Sequence, residues 1–498
     1  MFVAILPAAL LTQLPILQVA IPLLAAPVCV LFRRGRWAHD FSLLVTAIAS
    51  IISVALLQFV FNGGVISYAL GGFAPPWGIE YRIDSANAVI LLLVSVSGFL
   101  ALLQSRASIE TEIPEQKHPL FYTAFLLCLT GLLGVAATGD AFNAFVFLEI
   151  SSLATYALVA MGKSPRALTA AFRYLILGTI GASTFVIGVG LLYMATGTLN
   201  MSDLAARIPA SPHHAVIQAA FALIIVGLGL KAAIFPLHLW LPNVYTFAPA
   251  VVTTFLAATA TKVALYLLAR FVFVIFEDAS FAGTLLMPLA LLAMFLASLA
   301  ALQQGNVKRI LAYSSIAQIG YMLFALALAS TQAVAAAWLL ILTHALAKGG
   351  LFMAVAGIAL QTGSSNLDDW KGIAKQMPWS AAVMVVCFLS LVGVPLTAGF
   401  VAKWSLLSAI FSTSESIILA AVVAGVSLLT LLYAGKVLET VYLGTPDEQN
   451  ATANLREAPL AMLLVALLVA AMNIYFGFNG TMLSDLSKRA ALALLSGF

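Results

Sequence analysis

Hydrophobic residues run along nearly the whole chain in stretches of about 20 residues, each long enough to cross a bilayer core as one α-helix. The stretches are continuous and do not alternate with polar residues, which favours helices over a membrane-spanning β-barrel. We therefore predict an all-α polytopic membrane protein with about 14 transmembrane spans. The predicted limits of spans 1 to 14, in order, are 13–32, 41–61, 84–104, 119–137, 140–161, 170–195, 214–235, 248–275, 281–302, 309–329, 332–361, 378–412, 416–442 and 459–478.

The connections between the stretches are short, so residues 1–498 are expected to form a single integral membrane domain. The longest predicted connection, 62–83, is rich in glycine and proline and predicts a turn-rich hairpin. Beyond the last span, residues 481–497 have the pattern of a short amphipathic helix on the membrane surface.

Composition supports this interpretation, because 63% of the residues are hydrophobic and only 8% are charged, against about 25% charged in soluble domains. The formal net charge of +4 is too small to suggest nucleic-acid binding. The chain has no metal-ligand spacing, phosphate loop or dinucleotide fingerprint, so we expect neither a metal nor a cofactor. The three cysteines all lie inside apolar stretches, where small core residues are the simplest interpretation: Cys29, Cys128 and Cys387.

Basic residues concentrate in alternate connections, and the positive-inside rule assigns those connections to the cytoplasm. We therefore predict a multi-pass protein of a bacterial inner membrane with both termini outside, although Lys488 and Arg489 run against the rule. The predicted external connections hold only Arg82 and Arg207. The predicted cytoplasmic set is Arg33, Arg34, Arg36, Arg106, Lys117, Lys163, Arg166, Arg173, Lys308, Arg309, Lys371, Lys375 and Arg456.

Helix-breaking residues occur at two related places. Gly393, Pro395 and Gly399 interrupt span 12, and Pro236 follows closely after span 7. Broken helices at corresponding positions of two halves are typical of inverted-repeat transporters. We predict that spans 4–8, residues 119–275, form one five-helix repeat and that spans 9–13, residues 281–442, form the other.

Ionisable side chains inside the spans are the most informative residues of the chain. Each costs at least about 2.5 to 3.5 kcal/mol at a helix centre, so each requires a partner, a water-filled cavity or a function. The residues of this kind are Glu149, Lys231, Lys262, His344, Lys348 and Lys403.

Glu149 and Lys231 are candidates for a proton switch. Ser152 and Tyr156 share the helix face of Glu149, at i+3 and i+7. Burial of an amine favours its neutral form, whereas a nearby carboxylate favours the ammonium form. A Lys–Glu pair that opens and closes would therefore bind and release a proton, and the alternative is a static ion pair that ties two helices together.

Two further spans combine an amine with a second polar group. Lys262 is followed one turn later by Tyr266. His344 and Lys348 are four residues apart and face the same side of span 11. Histidine titrates near neutral pH and suits a proton relay, although a single buried histidine is more often a satisfied core residue.

The remaining candidates have closely balanced alternatives. Lys403 follows the break in span 12 and belongs either to a site or to the membrane interface, which its side chain could reach by snorkelling. His238 lies near the end of span 7 or in the following loop. Ser314, Gln318 and Tyr321 form a polar stripe on span 10 that suits either helix packing or a water-filled path.

Several strings, taken together, resemble one known family. The chain is similar to the antiporter-like proteins: the large Mrp-type Na⁺/H⁺ antiporter subunits, the large proton-pumping subunits of respiratory complex I and membrane-bound hydrogenase relatives. The resemblance covers roughly residues 84–442, and the glutamate string and the length look most like the D-type member of the Mrp antiporters. The strings are GDAFNAFVFLEISSLATYAL, KAAIFPLHLWLP, ATKVALYLLARF, NVKRILAYSSIAQIGYM, THALAKGGLF and SLVGVPLTAGFVAKW.

The resemblance implies a fourteen-helix inverted-repeat fold with a polar axis along the membrane midplane and half-channels to each side. One departure is Asn243, where the family often has aspartate, which weakens the case for a cytoplasmic entry role at this position. The resemblance places the family's glutamate of span 5 on Glu149 and its broken-helix lysine of span 7 on Lys231. It places the connecting lysine of span 8 on Lys262 and the exit residue of span 12 on Lys403. The histidine and lysine of span 11 fall on His344 and Lys348.

Two functional hypotheses from different classes follow from the resemblance. The leading hypothesis is a secondary transporter, not an enzyme: a subunit of a hetero-oligomeric antiporter that exchanges protons for Na⁺ or another monovalent cation. The alternative is a proton-pumping module of a redox enzyme of the complex I or hydrogenase type. A third possibility is a membrane partner of an inorganic-carbon uptake protein. The partner subunits would distinguish these hypotheses.

Overall fold

The computed structural model of the protein describes residues 11–278, 282–413, 416–445 and 455–496. The predicted start of span 9 at residue 281 and the predicted helix end at residue 497 lie outside these ranges. Within them, 13 helices are long and apolar enough to cross a membrane, or up to 14 if a bent pair is counted as one span. The prediction of an all-α polytopic membrane protein is confirmed.

The helices up to the middle of the chain, numbered in chain order, are α1 (Leu14–Val28), α2 (Gly35–Phe61), α3 (Ser85–Glu112), α4 (His118–Ala137), α5 (Ala141–Ala160), α6 (Pro165–Thr196), α7 (Met201–Arg207), α8 (His214–Lys231), α9 (Leu241–Phe247), α10 (Ala250–Ala258) and α11 (Ala260–Arg270). A π-helical turn, Phe271–Ile275, extends α11.

The later helices are α12 (Met287–Leu302), α13 (Val307–Ala327), α14 (Thr331–Thr362), α15 (Pro378–Val392), α16 (Ala398–Thr413), α17 (Ile417–Leu443), α18 (Leu460–Phe478) and α19 (Gly480–Leu495). A π-helical turn, Ala282–Leu286, precedes α12, and short 3-10 turns lie between α14 and α15. Helix α19 corresponds to the predicted terminal helix.

The connection between α2 and α3 is a β-hairpin, as predicted. Strands β1 (Ile66–Ala69) and β2 (Glu80–Ile83) pair antiparallel. The hairpin also pairs with the turn between α4 and α5, where the Gly139 amide donates to the Glu80 carbonyl at 2.8 Å. The end of the helices at which this hairpin lies is called the hairpin side below.

A short backbone pairing links the start of α5 to the start of α7 on the hairpin side. The Ala141 amide donates to Leu199 O at 2.9 Å, and the Met201 amide donates to Gly139 O at 2.8 Å. Asp140 accepts from the Asn143 amide and caps α5.

The second half of the chain has the same kind of backbone pairing, here between the start of α13 and the segment after α14. The Val307 amide donates to Ser365 O at 2.8 Å, and the Leu367 amide donates to Gly305 O at 2.8 Å. Asn306 caps α13 as Asp140 caps α5. Helices α6 and α14, which precede the paired segments, are both 32 residues long and end at a glycine with positive φ. Two repeats would produce these matched junctions, and their limits at 119–275 and 281–442 stay a prediction.

Both predicted helix breaks are present. Helix α8 ends at Lys231, four residues before the predicted limit, and residues 232–240 form turns before α9. Helices α15 and α16 are separated by residues 393–397. Gly393 has φ of +87°, and a Cβ there would lie 2.7 Å from Lys403 Cδ, so this position requires glycine.

A third interruption was not predicted. Span 8 was expected to be continuous, but Thr259, with φ −124° and ψ −60°, separates α10 from α11. The surrounding sequence carries neither glycine nor proline, so it gives no break signal. A second correction concerns Arg173, which was placed in a connection but lies on an exposed face of α6, because that helix begins at Pro165.

Candidate functional site

Lys231 is the last residue of α8, and its amine meets a carboxylate and a hydroxyl of α5. Lys231 Nζ lies 3.1 Å from Glu149 Oε1 and 2.6 Å from Ser152 Oγ. The lysine side chain is 5% exposed and the glutamate side chain 22% exposed, so the ammonium is enclosed while its partner reaches the protein surface. Because α8 ends here, the amine lies at a helix interruption instead of inside a continuous helix.

Aromatic side chains form one wall beside this pair. Tyr156 lies on α5, and its ring is edge-on to Tyr174 at 4.7 Å between centroids. Tyr174 in turn stacks on Trp240 at 4.1 Å, and the indole donates to Leu230 O at 2.9 Å. Trp240 thereby adds a second donor to a carbonyl in the last turn of α8, which also accepts from the Ala233 amide at 3.2 Å. The Tyr156 hydroxyl is buried without a hydrogen-bond partner among the described residues.

Lys262 lies just after the interruption at Thr259, and its side chain is fully buried. Its amine donates to Ala257 O, one of the carbonyls that the interruption frees. Lys262 also lies close enough to His344 and Lys348 to interact with both electrostatically. Helix α10, which precedes the interruption, packs against the second-half helix α14, so Lys262 lies near the two ionisable groups of α14.

Lys348 points from α14 toward α13. Its amine donates to Leu311 O at 2.7 Å and contacts the Ser314 hydroxyl. His344, one turn earlier, is 3% exposed, and neither ring nitrogen has a hydrogen-bond partner among the described residues. A buried imidazole of this kind can bind or pass on a proton if water or a moving side chain reaches it.

A small cavity joins His344 to Lys403. Its volume is about 10 Å³, close to what one water molecule requires. Gln318, whose amide nitrogen has no partner among the described residues, and Ser390 also line it. Gln318 therefore faces the cavity that Lys403 also lines, while Ser314 contacts Lys348. The residues of the predicted polar stripe on span 10 thus lie beside two different lysines.

Lys403 is 7% exposed and does not snorkel. Its amine donates to Val392 O at 2.9 Å, a carbonyl freed by the break between α15 and α16, and contacts Ser427 Oγ at 3.0 Å. The ammonium also lies 4.7 Å from the centre of the Tyr321 ring. Tyr321 is held by Ser427 at 3.1 Å, so one hydroxyl of α17 positions both groups.

The six ionisable candidates fall into two groups: the pair Glu149 and Lys231, and the set that Lys262, His344, Lys348 and Lys403 form, while His238 lies apart from both. His238 lies in the turns after α8, half-buried and stacked on Phe235 at 5.2 Å between centroids. No group of His, Cys, Asp or Glu suited to a metal ion occurs within the described ranges.

Sequence reasoning missed a second buried ion pair. Arg270 Nη2 lies 2.7 Å from Asp84 Oδ2, with side-chain exposures of 3% and 8%. Asp84 is the first residue of predicted span 3, and Arg270 lies near the end of predicted span 8. The spacing of Lys262, Tyr266 and Arg270, four residues apart in turn, is the signal that would have found the pair.

The fold and the site together define a class: a polytopic helical membrane protein with ionisable side chains buried beside its helix interruptions. The chain belongs to the family described as NADH:quinone oxidoreductase/Mrp antiporter, TM, whose model matches residues 138–430. Members of this class are antiporter-like, proton-translocating subunits of multisubunit membrane complexes, and this chain is one of them.

Individual relatives cover almost the whole chain. The chain is 38% identical to the N subunit of a NADH-quinone oxidoreductase of Desulforudis audaxviator over 96% of its own length and 98% of the relative. It is 31% identical to the D subunit of the Na⁺/H⁺ antiporter of Alkalihalophilus pseudofirmus, over 97% of its own length and 98% of the relative. A chain of the Mrp complex from Dietzia sp. DQ12-45-1b superimposes with a TM-score of 0.90 at 28% identity, with 98% of each chain covered.

Proposed function

We propose that this chain carries protons inward in a multisubunit antiporter that exports Na⁺ or another monovalent cation. The observation that supports this proposal most directly is the contact of Lys231 with Glu149 at 3.1 Å, at the end of an interrupted helix. An amine at a helix interruption can move away from its counter-charge without unfolding a continuous helix. The pair therefore has the geometry of a switch.

In the proposed mechanism, Lys231 holds its proton while Glu149 lies beside it. When the two separate, the enclosed amine loses its counter-charge and releases the proton. The proton then passes through Lys262, His344 and Lys348 to Lys403. Ser152, Ser314 and Gln318 hold amines or bridging water on this route.

The partners of the downstream lysines support transfer in both directions. Lys262, Lys348 and Lys403 donate to carbonyl or hydroxyl oxygens. A neutral amine still donates hydrogen bonds, so these contacts persist when the proton has left. The amines can therefore change charge without a rearrangement of the surrounding backbone.

The membrane supplies the driving force in this proposal. A potential is worth about 2.3 kcal/mol per elementary charge per 100 mV. We place the hairpin side and both termini outside a bacterial inner membrane, because the basic residues concentrate in the opposite connections. Protons would then enter from the hairpin side.

A second candidate function is proton pumping driven by redox partner subunits, and the 38% identity to part of a NADH-quinone oxidoreductase favours it. The two candidates differ in their partners and in their energy source. We expect the native complex to contain further antiporter subunits, and its vesicles to exchange protons for Na⁺ without an electron donor. Exchange that occurs only with an electron donor would favour the redox candidate.

Lys231→Arg tests the role of the lysine. Arginine keeps the charge but does not deprotonate in proteins, so proton exchange by vesicles should fall to background while the complex still assembles. Lys436→Arg is the matched control, because the Lys436 amine likewise has two oxygen acceptors, here the Leu302 and Gln304 carbonyls at 2.9 Å each, but lies outside the proposed route. Exchange that persists in the Lys231→Arg complex would make Lys231 a structural counter-ion.

A further inference from the structure

Helix α11 carries a polar stripe that continues past the proposed proton route. Lys262, Tyr266 and Arg270 follow one another at intervals of four residues, and the other residues after Lys262 are apolar. Every residue of this helix from Thr261 to Arg270 is buried. The stripe leads from Lys262 toward the hairpin side, because Arg270 pairs with Asp84, which directly follows strand β2.

Arg270 is held in place by two partners. Its Nη2 donates to Asp84 Oδ2 at 2.7 Å and to the Tyr266 hydroxyl at 3.0 Å. The guanidinium carbon also lies 5.4 Å from the centre of the Tyr266 ring. Tyr266 thus separates Arg270 from Lys262 on the same helix, and the guanidinium is fixed where the stripe ends.

The carboxylate of Asp84 accepts hydrogen bonds from other donors besides Arg270. It also accepts from the backbone amides of Ala86 at 2.9 Å and Asn87 at 3.1 Å, at the N-terminus of α3. The dipole of that helix offsets part of the negative charge. The ion pair together with the helix N-terminus therefore carries about half a positive charge, centred on a guanidinium that cannot give up its proton.

A fixed positive charge at the end of a polar path repels protons and other cations, as an arginine does in water-selective pores. Arg270 lies eight residues from Lys262, which is about 12 Å along the helix axis. At that distance two unpaired unit charges in a protein interior would change occupancy about tenfold, and the partly offset charge of this cluster changes it about threefold.

We infer that Arg270, held by Asp84 and Tyr266, is an electrostatic barrier that closes the hairpin side of α11, so that protons do not reach Lys262 directly from that side. The inference rests on the proposed function in that Lys262 carries protons. It adds a role that the route itself does not require: prevention of a proton leak that would bypass the Lys231 switch.

The test is passive proton conductance of the purified native complex in proteoliposomes. A potassium diffusion potential drives protons inward, with no Na⁺ gradient and no electron donor, and an internal dye reports pH. The double variant Asp84→Asn/Arg270→Gln keeps polar side chains of similar size but removes the guanidinium and its partner charge, and its conductance should rise about threefold. Asp84→Asn alone keeps the guanidinium and should stay as tight as the unaltered complex.

Adding Lys262→Ala to the double variant should abolish the leak, since the leaking protons are expected to reach the route through this lysine. Arg270→Lys is the second variant, useful if the double variant does not assemble. Lysine keeps the charge but can release its proton, so this complex should also leak.

Equal conductance of Asp84→Asn and the double variant, or a leak that survives Lys262→Ala, would overturn the barrier and leave the pair a structural clamp. An Arg270→Lys complex whose proton conductance does not rise would also overturn the barrier. These results are independent of the exchange assay on Lys231→Arg, so a failure of the barrier is distinguishable from a failure of the proposed function.

Discussion

Lys231 in the first half of the molecule is held differently from the two buried lysines of the second half, Lys348 and Lys403. In the first half, Lys231 faces the carboxylate of Glu149 at 3.1 Å. In the second half, the described residues offer Lys348 and Lys403 only carbonyl oxygens, hydroxyls and an aromatic ring. A counter-charge stabilises the ammonium form, whereas neutral acceptors hold both forms. Lys231 is therefore suited to keep a proton, whereas Lys348 and Lys403 are suited to receive one. Lys262, which belongs to the first half, also donates to a neutral acceptor, the Ala257 carbonyl, and resembles them.

Exposure differs between the halves as well. The Glu149 side chain is 22% exposed, whereas Lys348 is fully buried. A partly exposed carboxylate within a span is costly against lipid, so it suits a contact with a neighbouring protein of the complex. Such a neighbour at this face could draw Glu149 away from Lys231, while the second half has no comparable opening at Lys348.

The largest expected effect comes from removing the counter-charge. Glu149→Gln makes the first half resemble the second, because Lys231 then keeps only neutral partners such as Ser152. We expect proton exchange to fall to background. The complex should still assemble, because the glutamine can accept from the amine in place of the carboxylate. The measurement is proton exchange in inverted vesicles together with recovery of the partner subunits.

Asp203→Asn is the matched control for this variant. Asp203 pairs with Arg207 at 2.9 Å, and its side chain is also 22% exposed, but the pair lies on the short helix α7 outside the spans. An exposed pair of this kind contributes about 0.2 to 1 kcal/mol, so exchange should be unchanged. Comparable loss in both variants would mean that loss of any ion pair disables the complex, and the contrast between the halves would lose its support.

Prediction from sequence worked best where residue type alone is decisive. The number of spans, the two glycine- and proline-marked breaks and the ionisable groups inside spans follow from hydropathy and from the cost of buried charge. The contact between Glu149 and Lys231 did not follow, because two helices that are distant in sequence must pack before the two side chains can meet.

The interruption at Thr259 shows a different limit. Its neighbours are alanines and threonines, which carry no break signal, yet the interruption exposes the Ala257 carbonyl to which Lys262 donates. Tertiary packing decides such a break. The pair of Asp84 and Arg270 escaped notice for a simpler reason, since each residue lies near the end of a span, where charges are ordinary.

An intermediate effect is expected from giving the second half a counter-charge. Ser314→Asp would place a carboxylate beside the Lys348 amine, which the native hydroxyl contacts. The lysine should then hold its proton, as Lys231 does, and exchange should slow by about tenfold or more, since each 1.4 kcal/mol of added stabilisation is a factor of ten. Ser314→Asn has nearly the same shape without the charge and is the control. Equal rates in the two variants would show that Lys348 does not need to release a proton during transport.

The smallest effect is expected at Tyr156, which shares a helix face with Glu149 and was a candidate for the switch. Its hydroxyl is buried without a hydrogen-bond partner among the described residues, and it packs closely against Gly178. Removing a buried hydroxyl that makes no hydrogen bond is nearly neutral or slightly stabilising, so Tyr156→Phe should change exchange by less than about twofold. The ring would keep its edge contact with Tyr174. Thermal unfolding of the complex and the exchange rate provide the measurement. A loss of tenfold or more with unchanged thermal stability would show that the hydroxyl relays protons during the cycle, and the switch in the first half would then need three groups instead of two.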